Sequence, residues 1–528
     1  MGIISFVGFT LLVAIIAYYS TRSTDENSSD GYFLGGRSLT AGVIAGSLLL
    51  TNLSTEQIVG LNGAAFKEGI LVMVWETLAA IAMVVTAVFL LPRYLKGGIT
   101  TVPQFLERRY DTTTKAIASG LFLTGYAVIL LPIVLYSGAL AINTMFNVPE
   151  LLGISDKIAL WITVWGIGIV GSVYAVFGGL KAVAVSDTVN AVGLLIGGLM
   201  IPVFGLWAIG DGSLMTGIDT LITSHPEKFN AIGDADASVP FATILTGMML
   251  VQLFYWGTNQ AIIQRALGAK NLEEGQKGLL LGSFIKILGP IIVVLPGIIA
   301  FHMFGGTLEN ADQAYPMLVS KVLPASLAGF FAAVLFGAIL SSFNSALNSS
   351  VTLFGIDIYK EYIDKEADEK TIVKAGKSFG IILAIVAMFI APLLVYASDG
   401  LFGYLQEVNG VYSIPILTII IVGYLTKRVP AIAAKVGIIS GSVFYIIGQF
   451  ILKPFVIGEE NYPHFLHVMA ILFVLNVLIM LLIGKLYPRE EAYVQKYTEQ
   501  VDITPWKYVK VAGAAICIVV VSIYVFFS

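Results

Sequence analysis

Long apolar runs separated by short polar stretches fill this chain from end to end, and neither strand-like alternation nor a one-sided helical stripe organises them. A bilayer core of about 30 Å takes about 20 residues of helix, so apolar runs of roughly 18 or more are predicted to span it. Fourteen such segments are predicted, at 3–20, 40–61, 70–92, 115–146, 157–177, 181–209, 239–260, 276–304, 326–354, 376–397, 402–425, 431–453, 464–484 and 507–527. The run from Ile3 to Tyr19 has no basic stretch before it and no small-x-small cleavage pattern after it, which predicts a retained helix.

An even number of spans puts both termini on one side, and the distribution of Lys and Arg says which. With both termini outside, 24 of the 30 basic residues fall on cytoplasmic loops and flanks. Five (Lys67, Lys157, Lys228, Lys321, Lys453) fall outside, and Lys286 lies within a span. The expected location is the plasma membrane, a bacterial inner membrane, with the lipid bilayer as partner.

Composition removes other classes. Of 528 residues, 57% are hydrophobic and only 12% charged, with a mean hydropathy of +0.87; soluble domains carry about 25% charged residues. One transmembrane domain, 1–528, is expected. The net charge of −4 and the lack of a basic block argue against a nucleic-acid partner. One cysteine and four scattered histidines leave no disulfide or zinc pattern. No GxxxxGK[ST] loop is present, which argues against an ATP-driven pump. No nucleophile–base pair stands out, so an enzyme is not expected.

Polar residues at mid-membrane depth are costly and are kept near a partner, a cavity or a ligand. The second span reads Thr51-Asn52-Leu53-Ser54-Thr55-Glu56-Gln57 at its middle, and the seventh passes through Gln252 into Phe254-Tyr255-Trp256-Gly257-Thr258-Asn259-Gln260. Both are predicted to be interrupted helices, as at a transporter binding site between inverted repeats; the plain alternative is polar glue between helices. In the ninth span, Ala338, Ser341, Ser342, Ser345 and Asn348 share one face. Carbonyls and hydroxyls without a carboxylate suit a singly charged hard cation such as sodium, although small residues at this spacing also permit close packing. Glu76 and Lys286 lie among apolar residues, either as a structural ion pair or as acceptor and donor for a neutral, hydroxyl-rich ligand. Gln57, Gln252 and Gln406 add amides that donate and accept, and Tyr255 and Trp256 can stack on a sugar ring.

These residues resemble the sodium/solute symporter family, and within it the bacterial sodium/galactose and animal sodium/glucose cotransporters. The resemblance rests on Tyr174-Ala-Val-Phe-Gly-Gly-Leu180-Lys-Ala182, Asn52-Leu-Ser-Thr-Glu-Gln57, Gln264-Arg265 after Tyr255–Gln260, Lys286 before Pro290, and Ser341-Ser342 ahead of Asp357. It implies an all-α LeuT-type fold: an extra helix at 3–20, inverted five-helix repeats at 40–209 and 239–425, and three further helices over 431–527. It also implies a sodium site built from the carbonyls of Leu50, Leu53 and Ala338 and the hydroxyls of Ser341 and Ser342. The implied sugar ligands are Gln57, Glu76, Lys286 and Gln406, with Gln252 nearby, Tyr255 stacking beneath the sugar and Asn52 holding Tyr255. Asp187 and Ser345 are implied for an ion exit route or a second sodium. Gln252 and Ala79 stand where the galactose carrier has asparagine and serine, so other hexoses, inositol and related polyols are open as substrate. The expected activity is sodium-coupled uptake of a neutral sugar or polyol by alternating access. A symporter of another small organic solute, or a passive channel or sensor on the same fold, is the alternative.

Overall fold

The computed structural model describes residues 2–22, 27–305, 308, 310–396 and 401–528. Among them the architecture is helical, with a single isolated bridge between Leu39 and Ala269. A first helix, α1 (Gly2–Thr21), is followed by α2 (Ala41–Asn52), α3 (Thr55–Glu68) and α4 (Val74–Val85). Then come α5 (Thr112–Phe146), α6 (Asp156–Val173), α7 (Gly179–Ile209), α8 (Phe241–Gly257), α9 (Gln260–Leu267), α10 (Leu272–Ile287) and α11 (Gly289–Phe304). The last six are α12 (Ala325–Ile363), α13 (Glu369–Val395), α14 (Phe402–Leu425), α15 (Ala431–Ile457), α16 (Phe465–Leu486) and α17 (Val509–Phe526).

Ten helices are long and apolar enough to cross a membrane, or twelve if the bent pairs α8–α9 and α10–α11 each make one span. The fourteen expected spans are not reached on that measure for two reasons. α1 and α2 fall outside the count, and α3 runs on through a 3₁₀ turn at Gly69–Met73 into α4, so that Thr55–Gly97 passes as a single run of 43 residues. Large apolar side chains such as Leu245, Phe455 and Phe526 are exposed, as a lipid-facing surface requires.

The helix breaks are shorter than the sequence predicts. In the second expected span only Leu53 (φ −75°, ψ 56°) and Ser54 (ψ 174°) leave helical geometry, between α2 and α3. In the seventh, the break falls at Thr258 and Asn259, so Gln252, Tyr255 and Trp256 lie in intact helix. The α8–α9 pair bends by 48°, and Asn259 stabilises the corner: its Oδ1 accepts from the Ala261 amide (3.0 Å) and from the Tyr126 hydroxyl (2.6 Å). The α10–α11 pair also bends by 48°, directly after Lys286 and next to Pro290.

Two glycines are set by backbone geometry. Gly69 (φ +81°) ends α3 against the backbone of Lys228, whose ammonium donates to the carbonyls of Phe66 and Lys67 and so caps the helix C-terminus. Gly179 (φ +58°, ψ −176°) turns α6 into α7 and sits 3.1 Å, measured from an added Cβ, from Tyr32. It belongs to the family-like stretch 174–182; the side chains of Tyr174, Val176 and Phe177 lie outside the described residues.

Between α16 and α17 an extended strap crosses one face of the bundle. Its backbone bonds run from Arg489 and Tyr493 to the carbonyls of Arg428 and Lys427 (2.9 Å each), from Thr498 to Lys96 (3.1 Å), and from Asp502 O to the Leu272 amide (2.9 Å).

The conformation of Gly179 is one that only glycine adopts readily, so Gly179→Ala is expected to cost about 1–3 kcal/mol. The measurement is the unfolding temperature of the detergent-solubilised protein, which should fall, whereas alanine at Gly120, where an added Cβ meets nothing within 4 Å, should have a smaller effect.

Candidate functional site

The breaks converge on a narrow central cavity of about 60 Å³, walled by Asn52, Glu56 and Gln57 from α2 and α3, Trp75 from the first turn of α4, and Gln252, Tyr255 and Trp256 from α8. Ser342 and Ser345 of α12 and Phe402, Gln406 and Tyr412 of α14 complete it. That volume holds a few waters; a hexose requires the walls to part. The Trp75 and Phe402 rings meet edge to face at 5.1 Å. Phe402 also lines a second, wider chamber of about 380 Å³, bordered by Lys67, Glu68, Asp312 and Glu407, so these two rings separate the chambers.

Four of the expected ligands close a hydrogen-bonded ring. Lys286 donates to Glu76 Oε2 and to Asn52 Oδ1; Asn52 Nδ2 donates to Gln57 Oε1 (2.8 Å); Gln57 Nε2 donates to Glu76 Oε1. Each member comes from a different helix: α2, α3, α4 and the last turn of α10. There the helix dipole favours a cation, and the ammonium also lies 5.7 Å from the Trp256 ring centre. Gly289 leaves room for the Glu76 carboxyl, which would clash with any Cβ there. Glu76 and Lys286 are fully buried behind Asn52 and Gln57 and do not line the cavity. Gln252 is committed as well: it donates to Trp75 O (3.0 Å) and accepts from the Trp256 indole (3.2 Å). Tyr255 interacts with Asn52. Gln406 lines the cavity.

The expected sodium ligands are also brought together. The Ser54 amide, which a continuing helix would pair with Leu50 O, bonds Asn52 O instead (2.8 Å), so the Leu50 carbonyl loses its helical partner, and Leu53 lies outside regular helix. Across from them, Ser342 Oγ donates to Thr51 O (3.0 Å) and Thr51 Oγ1 meets Ser345 Oγ at 3.0 Å. Ala338 and Ser341 are buried on the same helix face, and Ser341 Oγ has no hydrogen-bond partner. Asp187 of α7 accepts from Ser47 (2.7 Å) and borders a side cavity of about 40 Å³ with Ser341, Asn344 and Asn190.

Sequence reasoning missed two charged residues here. Arg265, assigned to a cytoplasmic flank, is wholly buried; it donates to Ser345, to Ser47 (3.2 Å) and to its own helix. The rule that picked out Lys286, an ionisable residue among apolar ones, applies equally to Ile262-Ile263-Gln264-Arg265-Ala266-Leu267. Glu56 was read only as part of a polar run, yet it is buried in the cavity wall with Oε2 unpartnered.

Interrupted membrane helices, a buried ionic ring and a patch of carbonyls and hydroxyls define a sodium-coupled membrane transporter, not an enzyme. The chain belongs to the sodium:solute symporter family, whose model matches residues 32–441. It is 50% identical over 524 residues to the uncharacterized symporter YidK of Escherichia coli, covering 99% of this chain and 90% of that one. It is 31% identical to the sodium/glucose cotransporter of Vibrio parahaemolyticus (85% and 86% covered) and 28% identical to the rabbit sodium/myo-inositol cotransporter 2 (90% and 75%). Among solved structures it superposes on a Na⁺-coupled sialic acid symporter with a TM-score of 0.78 at 20% identity, covering 93% and 98% of the two chains. It superposes on Mhp1, a nucleobase-cation symporter, at 0.57 and 15% (88% and 96%). Both neighbours have the LeuT-type fold. The protein is thus a multi-pass symporter that uses sodium ions.

Breaking the ring on one side strands a buried charge, so Glu76→Gln alone should destabilise by about 3–5 kcal/mol, whereas Glu76→Gln with Lys286→Met should recover part of that loss. Thermal unfolding of the single and double variants in detergent measures the coupling. Additive effects would mean that the two side chains do not act as a pair.

Proposed function

We propose that the protein takes up a neutral sugar or polyol with sodium by alternating access. The observation that carries this is the character of the cavity wall: amides, hydroxyls and one carboxylate between aromatic rings, with no Lys or Arg among its lining residues. Such a wall offers hydroxyl-rich solutes both donors and acceptors, while the nearest cation, Lys286, is already paired with Glu76. The glucose and myo-inositol cotransporters among the relatives support the same substrate class. Asn52, Gln57, Glu76, Gln252, Lys286 and Gln406 are the proposed solute ligands, with Tyr255 closing the cavity beneath. The ring must then exchange some of its internal bonds for bonds to the solute.

The proposed sodium site is Leu50 O, Leu53 O, Ala338 O, Ser341 Oγ and Ser342 Oγ. Five ionisable residues lie buried in and behind the cavity: Glu56, Glu76, Asp187, Arg265 and Lys286. A single tightly bound sodium is the proposed stoichiometry, because Ser345 is already engaged by Thr51 and Arg265; Asp187 and its side cavity serve the ion's exit. Fourteen crossings with both termini outside, repeats over 40–209 and 239–425, and a bacterial inner membrane complete the reading. One sodium entering at an assumed −100 mV yields about 2.3 kcal/mol from the potential and about 1.4 more from a tenfold gradient, enough to hold roughly a 500-fold solute gradient.

Uptake into proteoliposomes, with and without a sodium gradient, across neutral hexoses, myo-inositol, proline and sialic acid, tests the reading. Sodium-dependent accumulation of a neutral sugar or polyol is expected; preference for proline or sialic acid over all of them defeats it. In the same assay, Ser342→Ala removes one oxygen ligand and should raise half-saturating sodium roughly five- to 150-fold. Solute affinity at fixed sodium should fall with it, since coupling is reciprocal. Ser350→Ala is the control, because Ser350 bonds only its own helix at Ala346 O (2.8 Å). Identical sodium curves for the two variants would place the ion elsewhere. A Hill coefficient near two for sodium, lost in Asp187→Ala, would replace the one-sodium stoichiometry.

A further inference from the structure

The ring leaves a particular residue uncommitted. Asn52, Gln57, Glu76 and Lys286 satisfy one another, and Gln252 is held by Trp75 and Trp256. In the cavity wall, Glu56 is 7% exposed and its Oε2 has no hydrogen-bond partner. An unpartnered buried carboxylate is costly. Glu56 is the second residue of α3, where the helix dipole offsets part of that cost. No Lys or Arg lines the cavity beside it. Lys286 is bonded to Glu76 and Asn52, and Arg265 to Ser47, Ser345 and the Ala261 carbonyl.

We propose that Glu56 contacts the transported solute directly, accepting hydrogen bonds from its hydroxyls and excluding anionic solutes by charge repulsion. The inference rests on the sugar or polyol reading above and adds the group that sets selectivity within it. A carboxylate facing a hydroxyl donor makes a charge-assisted bond, stronger than an amide supplies. Facing a sugar acid, the same oxygen brings two like charges together where the nearest ammonium, Lys286, is already paired with Glu76, so a single residue both attracts one class and rejects the other.

The test compares the native chain with Glu56→Gln in proteoliposomes, using whichever of glucose, galactose and myo-inositol the native chain transports best, with glucuronate as the anionic competitor. Glutamine keeps the shape and removes the charge. The expected result is a rise in KM for the neutral solute of roughly tenfold or more, half-saturating sodium changed less than about twofold at saturating solute, and inhibition by glucuronate that the native chain does not show. Glu56→Asp, which keeps the charge and withdraws it, should raise KM while still excluding glucuronate; this variant decides the matter if glutamine prevents folding. An unaltered KM with glucuronate still excluded overturns the proposal, as does a change confined to the sodium curve, which would make Glu56 a partner of the ion. If the native chain itself transports no neutral solute, it is the broader reading that fails.

Discussion

The buried bond between Lys286 and Glu76 is the interaction on which the rest of the site depends. Neither charge could lie where it does alone, and together they still need Asn52 and Gln57 to use up their remaining donors and acceptors. That requirement explains otherwise unrelated features. α2 must stop at Asn52 so that its amide reaches the ring. α3 must restart at once so that Gln57 follows, α10 must end just after Lys286, and residue 289 must lack a side chain. Four helices are thereby held in one register, and the carbonyls of Leu50 and Leu53 are freed as a by-product of the same break. The proposed ion site and the proposed solute site share a cause.

That shared cause gives coupling a physical basis. The last turn of α2 bonds to α12 on one side, through Thr51, Ser342 and Ser345, and to the ring on the other, through Asn52. In the proposed site, a cation among the carbonyls and hydroxyls would stiffen a segment whose far end presents Asn52 and Gln57 to the cavity. Binding at one end changes what the other end offers, with no contact between ion and solute required.

How much of this could be read from the sequence depends on the kind of signal. Residues that violate the apolar pattern were legible: Glu76, Lys286, Asn52, Gln57 and the serines of α12 all stand out as polar at depth, and the structure brings them together. The partners they choose were not legible. That Gln252 would be tied to Trp75 and Trp256, or that the ring would satisfy itself, depends on helix rotation, which spacing along the chain does not fix. Break lengths were overstated because Ser and Thr tolerate helix when their neighbours pack well; Thr55, Glu56 and Gln57 are helical despite their polarity. Arg265 was lost to a boundary decision: a few residues' error at the end of a span turned a buried charge into a loop charge. The span count suffered from the opposite effect, since α3 and α4 join through a turn too tight to separate them by length.

The two ends of the central cavity are closed by different amounts of protein. Toward the wider chamber stands one aromatic contact, Trp75 against Phe402. Toward the strap, closure runs through the α8–α9 corner fastened by Tyr126, then the Gln260 side chain bonded to the backbone of residues 100 and 102, then Thr101 and Ser119 on Asp357, and finally the strap itself. Opening toward the chamber therefore asks one ring contact to part, whereas opening toward the strap asks several hydrogen-bonded layers to release together, a collective motion of the kind that takes microseconds to milliseconds.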